Sequence, residues 1–274
     1  MLQLIWLKVE RYAAQALRLI AKMLPLGDIR YRVPDLPRGR PRVLICGIYI
    51  GDQRNSVRHL VEKFSATSLL DVTQRWCCMR GQPPSSIVAA VTTMILSNYE
   101  PKWMVMGELL KPDDQINYDL VIFCDDDIEV GEGFLDAFVA LQQKYDFALA
   151  QPARTIRSSF DWRITRRRFF GRARQTHFVE IGPLVSMDKR FFPLALPFSQ
   201  LSPMGWGYDH VWPLTAKQAG LKLGIIDATS VDHRMRPQYV LYSRPAETAV
   251  MRKFLQVTPH LPREQLVTVK RYLR

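Results

Sequence analysis

Along this chain the apolar positions recur either every three to four residues or every other residue, and the switches between the two periods mark out its elements. Residues 1–24 carry Lys8, Arg11, Gln15, Arg18 and Lys22 at 3-4-3-4 spacing, one polar face of a helix whose remaining positions are mostly apolar, Trp6 among them. Pro25 and Gly27 stop that helix, and Pro34, Pro37, Gly39 and Pro41 make 25–41 a linker. Arg42 to Tyr49 is a β-rich run that predicts the first strand. Asn55 or Ser56 caps a helix to about Phe64, because Val57, Leu60, Val61 and Phe64 share a face. A second strand is predicted over Thr67 to Thr73, then a helix capped by Ser85 or Ser86 that runs through Ile87, Ala90, Val91, Met94 and Ile95. Leu120 to Cys124 reads as a strand covered on both faces, Phe134 to Lys144 as a helix and Phe147 to Gln151 as a strand. Further on come a strand over Phe178 to Ser186, a helix over Tyr208 to Gly220 and a short strand over Lys222 to Ile226. The tail from Pro245 contains a helix with no recognisable chemistry. This alternation predicts an α/β domain over 42–244, with a mostly parallel central sheet flanked by helices, followed by a helical tail over 245–274.

Composition narrows the class. With 274 residues, 47% hydrophobic and 23% charged, the chain has ample material for a core and no disorder signature. Cys46, Cys77, Cys78 and Cys124 fit no zinc spacing; Cys46 and Cys124 lie in apolar runs and are expected in the core, which points to a reducing compartment. The net charge of +12 implies an anionic partner without naming it. The segment from Arg154 to Arg174 is the densest basic stretch and reads either as a solvated loop or as a basic loop facing a diphosphate, an acidic acceptor or a membrane. The 1–24 helix is too interrupted by charge to be a transmembrane span of about 20 apolar residues, and lacks a signal-peptide pattern. It suits either a membrane interface or packing against protein.

The chemistry concentrates at Asp125-Asp126-Asp127, where the Leu120–Cys124 run ends. Three adjacent carboxylates repel one another; a hard divalent cation would relieve that, and the alternative is a solvated acidic turn in which Asp126 or Asp127 caps the helix that starts near Gly133. Such a strand end is where open α/β sheets bind ligands. Gly205-Trp206-Gly207-Tyr208-Asp209 follows, with glycines that permit close backbone approach and an acid in the first turn of a helix. Asp209 there either favours the helix dipole or accepts a proton from a substrate hydroxyl. His233, shortly after the 222–226 strand, is a candidate nitrogen ligand.

Taken in order, these segments, with Phe178-Val179-Glu180-Ile181-Gly182-Pro183 and Val231-Asp232-His233, resemble GT-A glycosyltransferases, and among them bacterial and plant proteins of the DUF707 type. The likeness covers about residues 42–240; Tyr208 stands where that group is expected to carry Leu, and the Arg-rich segment is foreign to it. It implies a metal-dependent, inverting transfer of sugar from a nucleotide-sugar to an acceptor hydroxyl, on a saccharide or lipid-linked acceptor at the cytoplasmic face of a bacterial membrane. Asp127 and His233 would bind Mn²⁺ or Mg²⁺, Asp125 the metal or the ribose, and Asp126 would lie with the cofactor. Tyr49, Asp52 and Arg54 would face the nucleotide. Trp206 and Gly207 would contact a sugar, Glu180 would be a second acid near the site, and Asp209 would be the base. A nucleotidyltransferase is the alternative within acid–metal chemistry, although no glycine-rich, Lys- or Arg-bearing loop spans Gly47 to Gly51. A non-enzymatic basic protein for nucleic acid or anionic lipid is the other, and leaves the clustered acids unexplained.

Overall fold

The computed structural model describes residues 39–168, 170–236 and 242–273. The helix expected over 1–24 and most of the linker lie outside them. Nine strands form one sheet: β1 (Arg42–Ile50), β2 (Asp71–Met79), β3 (Thr92–Leu96), β4 (Leu120–Cys124), β5 (Phe147–Arg154), β6 (Gly171–Thr176), β7 (Leu184–Asp188), β8 (Lys222–Val231) and β9 (Thr268–Leu273), in the order β3-β2-β1-β4-β7-β5-β8-β6-β9. The helices are α1 (Val57–Ser65), α2 (Ser86–Ala89), α3 (Lys102–Glu108), α4 (Asp114–Asn117), α5 (Phe134–Lys144), α6 (Phe192–Ala195), α7 (Tyr208–Gln218) and α8 (Arg244–Val257).

The sheet is mixed, which corrects the expectation of a mostly parallel one. β1 pairs in parallel with β2 and β4, β2 with β3, and β5 with β8, but β7 runs antiparallel between β4 and β5, and β6 antiparallel between β8 and β9. Because β4 and β5 both oppose β7, they run the same way, as do β1 and β8. Their C-terminal ends therefore open on one edge of the sheet, and that edge carries the site.

Period-two alternation sends side chains from β1 to both faces. Val43, Ile45 and Tyr49 pack with α1 and α5, while Leu44, Cys46, Ile48 and Ile50 pack with α3, α7 and α8. On α1 the buried residues are Val57, Leu60, Val61 and Phe64, and each such burial contributes roughly 1.5–3 kcal/mol. The opposite layer centres on Trp103 of α3, whose ring lies 5.0 Å from Phe123 and 5.2 Å from Trp212. Cys46 and Cys124 are in the core, and Cys77 and Cys78 are buried with them.

Several elements differ from their expected limits, the first because polar residues are satisfied internally. β2 continues through Gln74 and Arg75: Gln74 donates to the Val61 carbonyl at 3.2 Å, and Arg75 forms a buried two-pronged pair with Asp114 at 2.6 and 2.8 Å. The long helix expected from Ser86 is a single turn followed by edge strand β3, where Thr92 and its neighbours suit extended backbone. The strand expected over Phe178 to Ser186 is also displaced, since 178–183 is irregular and β7 begins at Leu184. Nor is 154–174 a solvated loop. Arg154 ends β5 and is buried, while Arg174 in β6 pairs with the fully buried Asp227 at 2.8 Å and donates to the carbonyls of Ile164 and Arg166. Among the described residues no helix is long and apolar enough to cross a membrane.

Candidate active site

A cavity of about 600 Å³ opens where β1, β4, β5 and β8 end. Its floor is the acidic triplet, and each carboxylate there meets a cation of the chain itself. Asp125 pairs with Lys102 at 2.6 Å, and Lys102 Nζ also donates to the Ile181 carbonyl at 3.2 Å. A side chain at Gly182 would crowd this pair, since a Cβ would stand 2.6 Å from Lys102 Nζ and 3.0 Å from an Asp125 oxygen and the lysine end would have to move.

Asp126 is the most buried of the three and serves as an anchor. Its carboxylate accepts the Ile50 N–H at 2.8 Å and both arms of the Arg236 guanidinium, and its carbonyl accepts the Ser56 N–H and hydroxyl at 2.6 and 2.7 Å. Burial raises this carboxyl above its ordinary range, and Arg236 pulls against that. Asp127 faces His233, whose Nε2 lies 3.0 Å from Oδ1, with Arg236 at 3.5 Å from Oδ2. Burial alone would raise the Asp127 carboxyl, but His233 and then Arg236 outweigh it and hold the group well below the carboxylate range. Glu129 and Asp232 exchange backbone hydrogen bonds of 2.9 and 3.2 Å, which fastens the end of β8 beside the triplet and brings His233 to Asp127.

Arg154 joins this floor to the wall. It pairs with Glu180 at 2.6 Å, donates to the Gly182 carbonyl at 2.9 Å and also reaches His233 Nδ1. A guanidinium only donates, so Nδ1 accepts, and the neutral ring then carries its proton on Nε2, toward Asp127. On the wall, Gly205 and Gly207 take φ of +80° and +101° and turn the chain into α7. That turn places Asp209 in the first turn of the helix, 8% exposed, with Oδ1 buried and lacking a hydrogen-bond partner among the described residues. Burial, and then the charge of Glu180, push the Asp209 carboxyl up to about 7.

Asp127 Oδ1 and His233 Nε2 stand 3.0 Å apart, the distance of a direct contact between the two side chains. Asp127 Oδ1 is buried without a well-directed hydrogen bond, as a ligand oxygen is before its ion. The carboxylate fits a divalent ion; Nε2 serves one only after Arg154 releases Nδ1 and the ring proton moves there. No three His, Cys, Asp or Glu side chains form a ready-made cage among the described residues. Ions of the Mg²⁺ type use one or two carboxylates and take their other ligands from phosphate and water.

The cavity brings together Asp125, Asp126, Asp127, Glu180, Trp206, Gly207, Asp209 and His233 from distant parts of the chain. The three residues expected at the nucleotide do not join them. Tyr49 points into the core and bonds Thr92 at 2.9 Å, Asp52 pairs with Arg80 on the surface, and Arg54 is exposed outside the cavity. Alternation along β1 accounts for Tyr49, and Ile48, Ile50 and Gln53 line the cavity from that side instead. Sequence reading missed Lys102 and Arg236. Three clustered acids signal that cations must be near, but nothing local to either residue marks it as the partner.

No family model and no curated protein matches the chain. Solved structures do. GalNAc-T7, solved with UDP, GalNAc and Mn²⁺, aligns over 72% of this chain and 44% of its own at 11% identity and a TM-score of 0.51. The mannosyltransferase PcManGT of Pyrobaculum calidifontis, in complex with GDP-Man and Mn²⁺, aligns over 95% of this chain and 77% of its own at 12% identity, also with a TM-score of 0.51. The fold is GT-A. At such identity the likeness is one of fold alone, and the chain spans under half of GalNAc-T7. The GT-A frame nevertheless agrees with where the cavity lies, at the strand ends beyond β4.

Proposed function

We propose that the chain is a divalent-metal-dependent glycosyltransferase that moves a sugar from a nucleotide-sugar to an acceptor hydroxyl with inversion. One observation carries this reading: a buried carboxyl with a pKa near 7, Asp209, shares one cavity with an acidic triplet at a strand end. A base poised near the working pH is the most effective for taking a hydroxyl proton. Asp209 accepts that proton, the acceptor oxygen bonds to the anomeric carbon, and the bond to the nucleoside diphosphate breaks with its electron pair leaving on the diphosphate. A Mn²⁺ or Mg²⁺ ion, when bound, supplies Lewis-acid stabilisation of that leaving charge. Asp127 would hold it, with Asp125 and His233 the nearest further donors. Lys102 and Arg236, fixed at the same floor, add positive charge facing the leaving group. Glu180, held by Arg154, keeps the Asp209 carboxyl basic through its charge, and the face of Trp206 suits a sugar ring.

The order of the acidic triplet, Gly205–Asp209 and His233 supports the narrower kinship with DUF707 proteins. A lipid-linked acceptor and peripheral contact with an anionic membrane through residues 1–24 belong to the same proposal. Removing those residues should release the protein from anionic liposomes, and equal sedimentation of the shortened chain would place the contact elsewhere.

A screen of nucleotide-sugars for metal-dependent transfer or donor hydrolysis tests the central claim. Asp209→Asn should still bind nucleoside diphosphate with Mn²⁺ yet lose transfer; retained transfer would remove Asp209 as base.

A further inference from the structure

Among the described residues six lysine and arginine side chains line the cavity, and carboxylates answer four of them. Lys102 pairs with Asp125, Arg154 with Glu180, Arg236 with Asp126, and Arg244 with Asp161 at 3.5 Å. Arg252 and Arg263 have no carboxylate partner among the described residues.

Both belong to the wall that carries Asp209. α8 turns Thr248, Met251, Arg252 and Leu255 onto the cavity, spaced as one helical face. Met251 and Leu255 come within 3.3 Å of where a Cβ on Gly207 would stand, two residues before Asp209. Arg263 lies 4.7 Å from the centre of the Trp162 ring, which lies 5.8 Å from the ring of His210, the neighbour of Asp209. The Leu261 N–H, donated to the His210 carbonyl at 3.0 Å, fastens the segment bearing Arg263 to α7. Stacking on Trp162 restrains the guanidinium before any ligand arrives. The floor around the triplet has its own cations and does not need these two.

Two uncompensated positive charges match one phosphate monoester, which carries between one and two negative charges near neutral pH. Guanidinium forks also suit phosphate oxygens in a two-pronged geometry. We propose that Arg252 and Arg263 form a phosphate subsite for the acceptor, so that the hydroxyl attacked at Asp209 belongs to a phosphorylated molecule. This rests on the glycosyltransferase reading, because it assigns the subsite to the acceptor. The phosphate is that of a soluble sugar phosphate or of a lipid headgroup; the chemistry recognised is the same.

The test uses the full chain saturated with a nucleoside diphosphate and Mg²⁺, so that the triplet end is already filled. Glucose 6-phosphate, glucose, and vesicles of phosphatidylcholine with or without phosphatidic acid are then titrated. Wild type should bind glucose 6-phosphate over glucose, or phosphatidic acid vesicles over plain ones, and whichever responds identifies the source. Arg252→Glu with Arg263→Glu should weaken that binding by about tenfold or more. Both residues are exposed, so the variant should melt like wild type and bind the nucleoside diphosphate unchanged. The proposal is overturned if neither phosphate probe binds wild type, if the variant binds it equally, or if added nucleoside diphosphate displaces it. A wild type that binds glucose 6-phosphate through these arginines but no nucleoside diphosphate at all would instead sink the glycosyltransferase reading and leave the phosphate subsite standing.

Discussion

Asp209 is held in a conflict between burial and ionisation that sets two measurable pH dependences. Its carboxyl is pushed up to about 7 by burial first and Glu180 second, from an ordinary 3.8. As the proposed base it would work only when ionised, so transfer should rise with pH through about 7 and level off above it. For stability the sign is opposite. The folded state keeps the proton while the unfolded chain has already lost it, so stability falls as pH rises from about 4 to about 7 and stays reduced above. Asp209→Asn removes that penalty: its midpoint of thermal unfolding should exceed wild type at pH 8, by a few kcal/mol in stability, and match it below pH 4. Equal midpoints at pH 8 would mean that the carboxyl is not desolvated as its surroundings imply. Asp209 stood out in the sequence only in company: an acid in the first turn of a helix commonly just favours the dipole, and it was the Gly-Trp-Gly before it and the resemblance to GT-A enzymes that singled it out. Lys102 and Arg236 did not stand out, since their part in the site comes only from contacts across 23 and 110 residues.

At the scale of elements, the turn into α7 depends on two glycines with positive φ. A Cβ on Gly205 would run into the ring of Trp103, itself wedged against Phe123, Phe198 and Trp212. Gly205→Ala should therefore cost roughly 2–4 kcal/mol from backbone strain and overpacking, measurable by denaturant unfolding. A cost below 0.5 kcal/mol would show that the Trp103 layer yields easily. The Arg-rich segment makes a second case. Arg174→Met leaves the Asp227 carboxylate buried without its main partner, at a cost of about 3–5 kcal/mol, and replacing both by apolar residues should recover much of it. Period-two and period-3.6 patterns made β1, β4, α1 and α5 legible, because apolar burial dictates them. The same reading failed at β2 and over 154–174 for one reason: Arg75, Arg154 and Arg174 are buried against carboxylates supplied by Asp114, Glu180 and Asp227, and charge in a sequence does not reveal that its partner is inside. Antiparallel β7 and β6 were equally hidden, as strand direction follows from connections the pattern does not contain.

For the whole molecule, four strand ends on one edge gather an acidic floor and a basic rim from a chain of net charge +12. Asp125 and Asp126 are already paired with Lys102 and Arg236, and Arg236 also stands 3.5 Å from Asp127, so binding an ion exchanges one counter-charge for another. Metal alone should therefore bind weakly. On the proposed reading a nucleoside diphosphate would change the balance, because the ion would be held by phosphate as well as by Asp127, and Lys102 and Arg236 would gain a new anionic partner. Metal and nucleotide should consequently bind together, each tightening the other by the same factor. At concentrations of about 100 times the dissociation constant, the pair should raise the unfolding midpoint by roughly 5–10 °C, while either alone raises it little. EDTA should abolish the nucleotide-dependent gain. Asp127→Ala should lose it as well while still unfolding in one cooperative step, whereas Asp209→Asn should keep it. A full shift produced by nucleotide in EDTA would instead mean that Lys102 and Arg236 hold the diphosphate unaided, and that the acidic triplet positions those cations rather than a metal.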